Sequence, residues 1–230
     1  MIEKARAALA QTDISGANQV QFVQSSAEEL PFLEDGSVDL IVAAQAAHWF
    51  NWDKAWPEFA RVLRKDGTAA FWGYSEFRLS RFPNLTPLIS DYANGTDPAR
   101  SLGPHWQQPG RSILERHFAD VPKATDVLPD KFTQWEHVFF TGPHYPSLPD
   151  PRPVILRKRM TWDDLLAYFR TFSSLHTYLE RYPDDAQNPD GDIAFRFWRT
   201  LKEKTAQEDH GDPEFIDVEW PMALMMVKKA

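Results

Sequence analysis

The sequence predicts an α/β fold, a three-layer arrangement of a sheet between helices with a helical cap. Three observations predict it. Residues 38–44, Val-Asp-Leu-Ile-Val-Ala-Ala, form a near-continuous apolar run of strand length, as expected of a parallel strand covered on both faces. Residues 52–63 follow with Trp56, Phe59, Ala60 and Leu63 at helical spacing, and after the stop Lys65-Asp66-Gly67 residues 68–74 read as a second strand. Strand, helix and strand make a βαβ unit. The chain has 230 residues, 43% of them hydrophobic, which is enough for a real core.

Residues 2–9 open the chain as an amphipathic helix rich in Ala, Glu, Lys and Arg, closed by the polar stretch from Thr12 to Gly16. Residues 20–23 read as a short strand, and Ser26-Ala27-Glu28-Glu29-Leu30 as a helix with a Ser N-cap and acids in its first turn, broken by Pro31. From residue 75 to about 153 the texture becomes proline-rich, aromatic and irregular, with helices expected over 86–92 and 110–118. Thr161 caps a further helix running through Phe169 and Phe172 toward Tyr178, and 193–205 is another. Residues 215–228 read as a closing strand with Pro221 at an edge or bulge. The chain thus divides into an α/β core over 1–75, a cap over 76–153, and C-terminal helices with the closing strand over 154–230.

Composition narrows the functional classes. Lys and Arg total 25 against 33 Asp and Glu, a net charge of −8, the wrong sign for the electrostatic term that dominates non-specific nucleic-acid binding. No run approaches the ~20 apolar residues of a membrane span, and the charged start Met1-Ile2-Glu3-Lys4 lacks a signal's apolar core, so a soluble, cytoplasmic protein is expected. Zero cysteines exclude disulfides, iron–sulfur clusters and thiolate zinc; the histidines lack metal-ligand spacing, so no metal site is expected. With 9 Trp, 16 Phe and 6 Tyr, the chain has aromatic mass for the walls of a site for a small organic ligand.

In open α/β sheets ligands gather beyond the carboxyl ends of the parallel strands. Three loops lie there: Ser26-Ala27-Glu28, Gln45-Ala46-Ala47-His48-Trp49-Phe50, and Gly73-Tyr74-Ser75-Glu76. Residues 26–32, Ser-Ala-Glu-Glu-Leu-Pro-Phe, the strand and loop over 38–49, residues 58–68, Arg170-Thr171-Phe172-Ser173-Ser174 and the closing Glu219-Trp220-Pro221-Met222-Ala223-Leu224 resemble the class I S-adenosylmethionine-dependent methyltransferases, nearest the small-molecule branch of fungal trans-aconitate methyltransferase-like proteins. The resemblance implies a Rossmann-like sheet, S-adenosylmethionine as cofactor and a small organic acid or secondary metabolite as methyl acceptor. By position it places Ser26, Ala27 and Glu28 beside the adenine, and Gln45, Ala46, His48 and Trp49 at the methionine end.

Aromatic faces suit a sulfonium cation, and His48 has the chemistry of a general base toward a hydroxyl or carboxyl acceptor. Trp72 and Tyr74, two apart on a strand, share a face from which one lines the cleft; Tyr74 also offers a polar group to a reaction. Arg170, on an aromatic helix, could clamp a substrate carboxylate. Blander roles stand beside these: His48 as a packed histidine at a turn, Ser26-Ala27-Glu28 as a cap, and Trp52 and Trp56 as a buried stripe.

The family's opening strand, glycine-rich G-x-G-x-G turn and ribose-binding acid find no counterpart; the early glycines, Gly16 and Gly36, follow no predicted strand. The first strands of the sheet are therefore expected to be missing, leaving the 38–44 strand with an edge to cover, either by strand 20–23 moving over or by a second copy of the chain in a homo-oligomer. Three readings stay open: a small-molecule methyltransferase, a methyltransferase-like scaffold that binds a ligand, catalyses without the cofactor or assists a partner, and an inactive truncation of such an enzyme.

Overall fold

A computed structural model describes residues 2–11, 20–209 and 214–230; the polar stretch from Thr12 to Gly16 lies outside them. The elements are α1 (Ile2–Ala10), β1 (Val38–Ala44), α2 (Trp52–Val62), β2 (Leu63–Tyr74), β3 (Arg78–Leu79), α3 (Thr86–Asn94), α4 (Gly110–Glu115), α5 (Ala124–Val127), β4 (Phe132–Phe140), β5 (Leu156–Thr161), α6 (Trp162–Phe169), α7 (Ser173–Arg181), α8 (Ile193–Asp209), β6 (Phe215–Trp220) and β7 (Met222–Lys229). They build two sheets. The larger runs β1-β2-β7-β4 and the smaller β3-β6-β5.

The βαβ unit forms as expected: β1 pairs in parallel with β2, Leu40 beside Thr68 and Ala44 beside Trp72, with α2 as the crossover. β7 then lies antiparallel to β2, and β4 antiparallel to β7. One face of this sheet buries Ala69, Phe71, Ala223 and Met225 beneath Trp56 and Phe59 of α2. A second core packs Phe77, Ile89, Phe169, Phe197 and Leu201 against the smaller sheet. Thr161 caps α6 in a reciprocal box with Asp164, each side chain bonded to the other's backbone N–H.

Several expectations are corrected. Residues 20–25 contain no strand, and Val20 and Val23 are each about half exposed. A four-residue apolar run needs a neighbouring strand to hold it, and β1 pairs with β2 alone, so the expected shift of 20–23 onto β1 does not occur. The helix expected at Ser26–Leu30 is a turn closed by a Ser26–Glu29 bridge, five residues before a proline being too few to sustain a helix. β1 is not covered on both faces. Ile41 and Ala43 pack toward the α2 core, while Leu40 and Val42 on the opposite face are each 55% exposed, and α1 buries none of its residues.

The region read as an irregular cap supplies β4, a full member of the main sheet. The closing strand is two strands in two sheets. Pro221 has no N–H for a ladder, and its carbonyl instead accepts from Ser75 N at 2.9 Å where the chain passes between sheets. The helix expected to run on to Tyr178 breaks at Arg170–Phe172, where the Thr171 hydroxyl bonds back to Tyr168 O at 2.7 Å.

Candidate active site

The site begins where β1 ends. Gln45 takes a left-handed backbone (φ 52°) that turns the chain out of the sheet. Its side-chain amide then acts as a surrogate strand: Oε1 accepts from Tyr74 N at 2.8 Å and Nε2 donates to Tyr74 O at 3.1 Å. The β1–β2 ladder is thereby extended by one rung, and Tyr74 is fixed at its end. A 3-10 turn, Ala47–Trp49, buries His48 and leaves Trp49 half exposed. Gly110, opening α4, lies against both rings; a Cβ there would stand 2.7 Å from the Trp49 indole and 2.8 Å from the His48 imidazole.

Gln45, His48, Trp49 and Tyr74 line a cavity of about 240 Å³ whose far wall is formed by Trp106, Tyr168 and Phe172. Arg111 lies over the Trp106 ring, 4.4 Å from its centroid. Its Nε bonds Glu115 at 2.7 Å and its Nη2 bonds Asn94 Oδ1 at 2.7 Å. Behind it sits Glu76, buried and saturated: Ser90 Oγ and Asn94 Nδ2 donate to it at 2.8 and 2.7 Å, and Arg78 pairs with it at 2.8 Å. Arg78 also donates to Tyr145 Oη at 3.1 Å, tying the wall to residues 142–155. The Tyr168 hydroxyl accepts from Trp220 Nε1 at 2.9 Å.

Burial pushes the His48 imidazole down to about 4, so near neutrality it is uncharged, and its Nδ1 has no partner among the described residues. His117, buried against the Tyr145 ring, is likewise pushed down to about 4 by burial, with both ring nitrogens unpartnered among the described residues. The unfolded chain takes up protons near pH 6.5 that these folded histidines refuse, so their contribution is complete above that value and is lost as pH falls from there toward 4. Urea midpoints measured at pH 7.5, 5.5 and 4.5 should fall stepwise, and His117→Gln should flatten the fall.

The structure brings Gln45, His48, Trp49 and Tyr74 together around the cavity. It leaves the other anticipated residues outside. Ala46 precedes the 3-10 turn without lining the cavity. Ala27 packs against the α2 core, Ser26 closes its turn, and the Glu28 carboxylate accepts from Asn51 N at 2.8 Å at the start of α2. Trp72 shares a sheet face with Tyr74 but stops short of the cavity. Arg170 points outward, its side chain 56% exposed and 3.9 Å from Asp192. Sequence reasoning missed Trp106, Arg111, Tyr168 and the burial of Glu76; only Glu76, two residues beyond Tyr74 in a loop already singled out, carried a readable signal.

Comparison with known proteins adds the family. Residues 1–71 match the model of a methyltransferase domain. The chain is 26% identical over 218 residues to the Saccharomyces cerevisiae protein named "Probable S-adenosylmethionine-dependent methyltransferase CRG1", covering 92% of this chain and 69% of that one. In sequence the chain is thus similar to S-adenosylmethionine-dependent methyltransferases. A shorter stretch of 101 residues, 44% of the chain, is 38% identical to Rv3342, an uncharacterized methyltransferase of Mycobacterium tuberculosis, of which it covers 37%. The fold is that of a "Putative Type II Methyltransferase" from Anaeromyxobacter dehalogenans, with a TM-score of 0.57 at 22% identity over 88% of this chain and 68% of the other. No described helix is long and apolar enough to cross a membrane, and no group of acids and histidines among the described residues could hold a metal ion.

Whether these residues fit a sulfonium nucleoside can be tested on their chemistry. The faces of Trp49 and Tyr74 suit the methyl-bearing end. The two side chains best suited to its polar ends are already engaged, the Gln45 amide with Tyr74 and the Glu28 carboxylate with Asn51. The described residues therefore fit the group at one end only.

Proposed function

We propose that this protein acts in S-adenosylmethionine-dependent methyl transfer to a small organic molecule held in the aromatic cavity. S-adenosylmethionine, when bound, supplies an electrophilic methyl group. The chain's own residues hold the acceptor between Trp106, Tyr168 and Phe172, exclude water, and present a neutral His48 that can take a hydrogen bond from the acceptor's hydroxyl. The observation that carries the reading is this cavity at the carboxyl ends of β1 and β2, where ligands of open α/β sheets collect. The exposed Leu40 and Val42 at the β1 edge favour self-association there as part of the same reading.

Calorimetric titration with S-adenosylmethionine should give saturable heat, and incubation with isotopically labelled cofactor and candidate acceptors should move label onto one of them. His48→Ala should lower that transfer by about 10²-fold or more, the ordinary yield of a positioned proton acceptor. No heat at millimolar cofactor overturns the reading. The engagement of Gln45 and Glu28 favours one alternative, a methyltransferase-like scaffold that binds its ligand without transferring a methyl group.

A further inference from the structure

The cavity's charges select among acceptors. One guanidinium group, that of Arg111, lines it, and a second, that of Arg78, is buried nearby; both are already paired with carboxylates. Arg111, its side chain only 10% exposed, is held by Glu115 at 2.7 Å and lies 3.9 Å from Glu76; Arg78, 5% exposed, is held by Glu76 at 2.8 Å. An incoming carboxylate would meet a guanidinium already paired with Glu115 while approaching the fixed negative charge of Glu76, and it would shed its own hydration to do so. His48 offers no positive charge near neutrality, and Arg170, the exposed cation expected to clamp an acid, lies outside the cavity.

What remains on offer is apolar and directional. Trp106, Tyr168 and Phe172 supply flat faces. The Tyr168 hydroxyl, having accepted from Trp220, still has its own proton to donate, and the neutral His48 ring lines the same cavity. Resting on the reading of this cavity as the acceptor site, we infer that its ligand is a neutral, flat, largely apolar molecule with a single hydroxyl or carbonyl, and that organic acids are rejected.

Two probes on one ring frame test this: 2-naphthol, neutral at pH 7.5, and 2-naphthoate, anionic at the same pH. Calorimetry on the full chain should show naphthol bound at least about tenfold more tightly, the discrimination expected of a buried site that leaves a carboxylate unpaired. Phe172→Ala should weaken naphthol. Glu115→Gln, which frees Arg111 from its partner, should tighten naphthoate about fivefold and leave naphthol unchanged. Naphthoate bound as tightly as naphthol by the native chain overturns the inference, as does the native chain binding neither. Naphthol binding without any response to S-adenosylmethionine supports the inference while overturning methyl transfer, so the two ideas fail separately.

Discussion

Replacing Trp56 by alanine should lower the stability of the fold by about 3–5 kcal/mol, the cost of deleting a large aromatic from a close-packed core. Trp56 is fully buried on the inner face of α2, its ring 4.7 Å from that of Trp52, 5.6 Å from Phe132 and 5.8 Å from Phe71. It therefore touches the helix, the central strand β2 and the far strand β4 at once, and its Nε1 donates to Pro122 O at 3.0 Å. No neighbouring group can collapse into the space without leaving another contact. Trp56→Phe keeps part of the ring volume and strands the Pro122 carbonyl, so its loss should be smaller, about 1–2 kcal/mol. Thermal unfolding followed by near-UV circular dichroism checks both; for a chain of this size the alanine variant should melt roughly 10 °C lower.

Glu76→Ala should cost a similar amount, about 3–5 kcal/mol, through a different mechanism. Its carboxylate is the shared partner of Arg78, Arg111, Ser90 and Asn94, and both Glu76 and Arg78 are almost wholly buried. Deleting it leaves the Arg78 guanidinium in the interior without its counter-charge. The sign of the coupling is the decisive measurement: if the penalty is that stranded charge, Arg78→Met in the Glu76→Ala background should recover stability in urea titrations. A double variant less stable than either single one would show that Arg78 contributes independently, through Tyr145.

These two residues mark the limits of what the chain's letters disclose. Trp56 sits in a pattern, with Phe59, Ala60 and Leu63 following at helical spacing, and its burial was readable because α2 obeys the period of a helix on a sheet. β1 and β2 were readable for the same reason, being apolar runs separated by a crossover of ordinary length. Glu76 belongs to no period. It is buried because Arg78, Ser90 and Asn94 arrive from β3 and α3, and such encounters have no trace in local sequence. Trp106 lies in the proline-rich stretch outside any expected element, and Arg111, though within the helix expected over 110–118, carries no local sign of what it faces, so much of the cavity wall was invisible. The strand expected at residues 20–23 failed in the opposite way. Its letters have strand character, but propensity acts only where a neighbour supplies hydrogen bonds. Arg170 differs by direction: α6 ends one residue earlier, and its side chain turns to solvent while Phe172, half-buried, lines the cavity.

Of the four passages of the chain between the sheets, the two shortest, Tyr74 to Arg78 in one direction and Trp220 to Met222 in the other, are latched together by Ser75 N to Pro221 O, and this has a mechanical consequence. The lobes are coupled like two plates on a short twin-stranded torsion bar, and Tyr74, Ser75, Glu76 and Phe77 of that bar are also the floor of the cavity. Any twist of one plate against the other must deform the floor, and any molecule wedged against the floor resists the twist. Occupancy should therefore be legible far away, as slowed amide exchange along both sheets, with no switch or moving lid required.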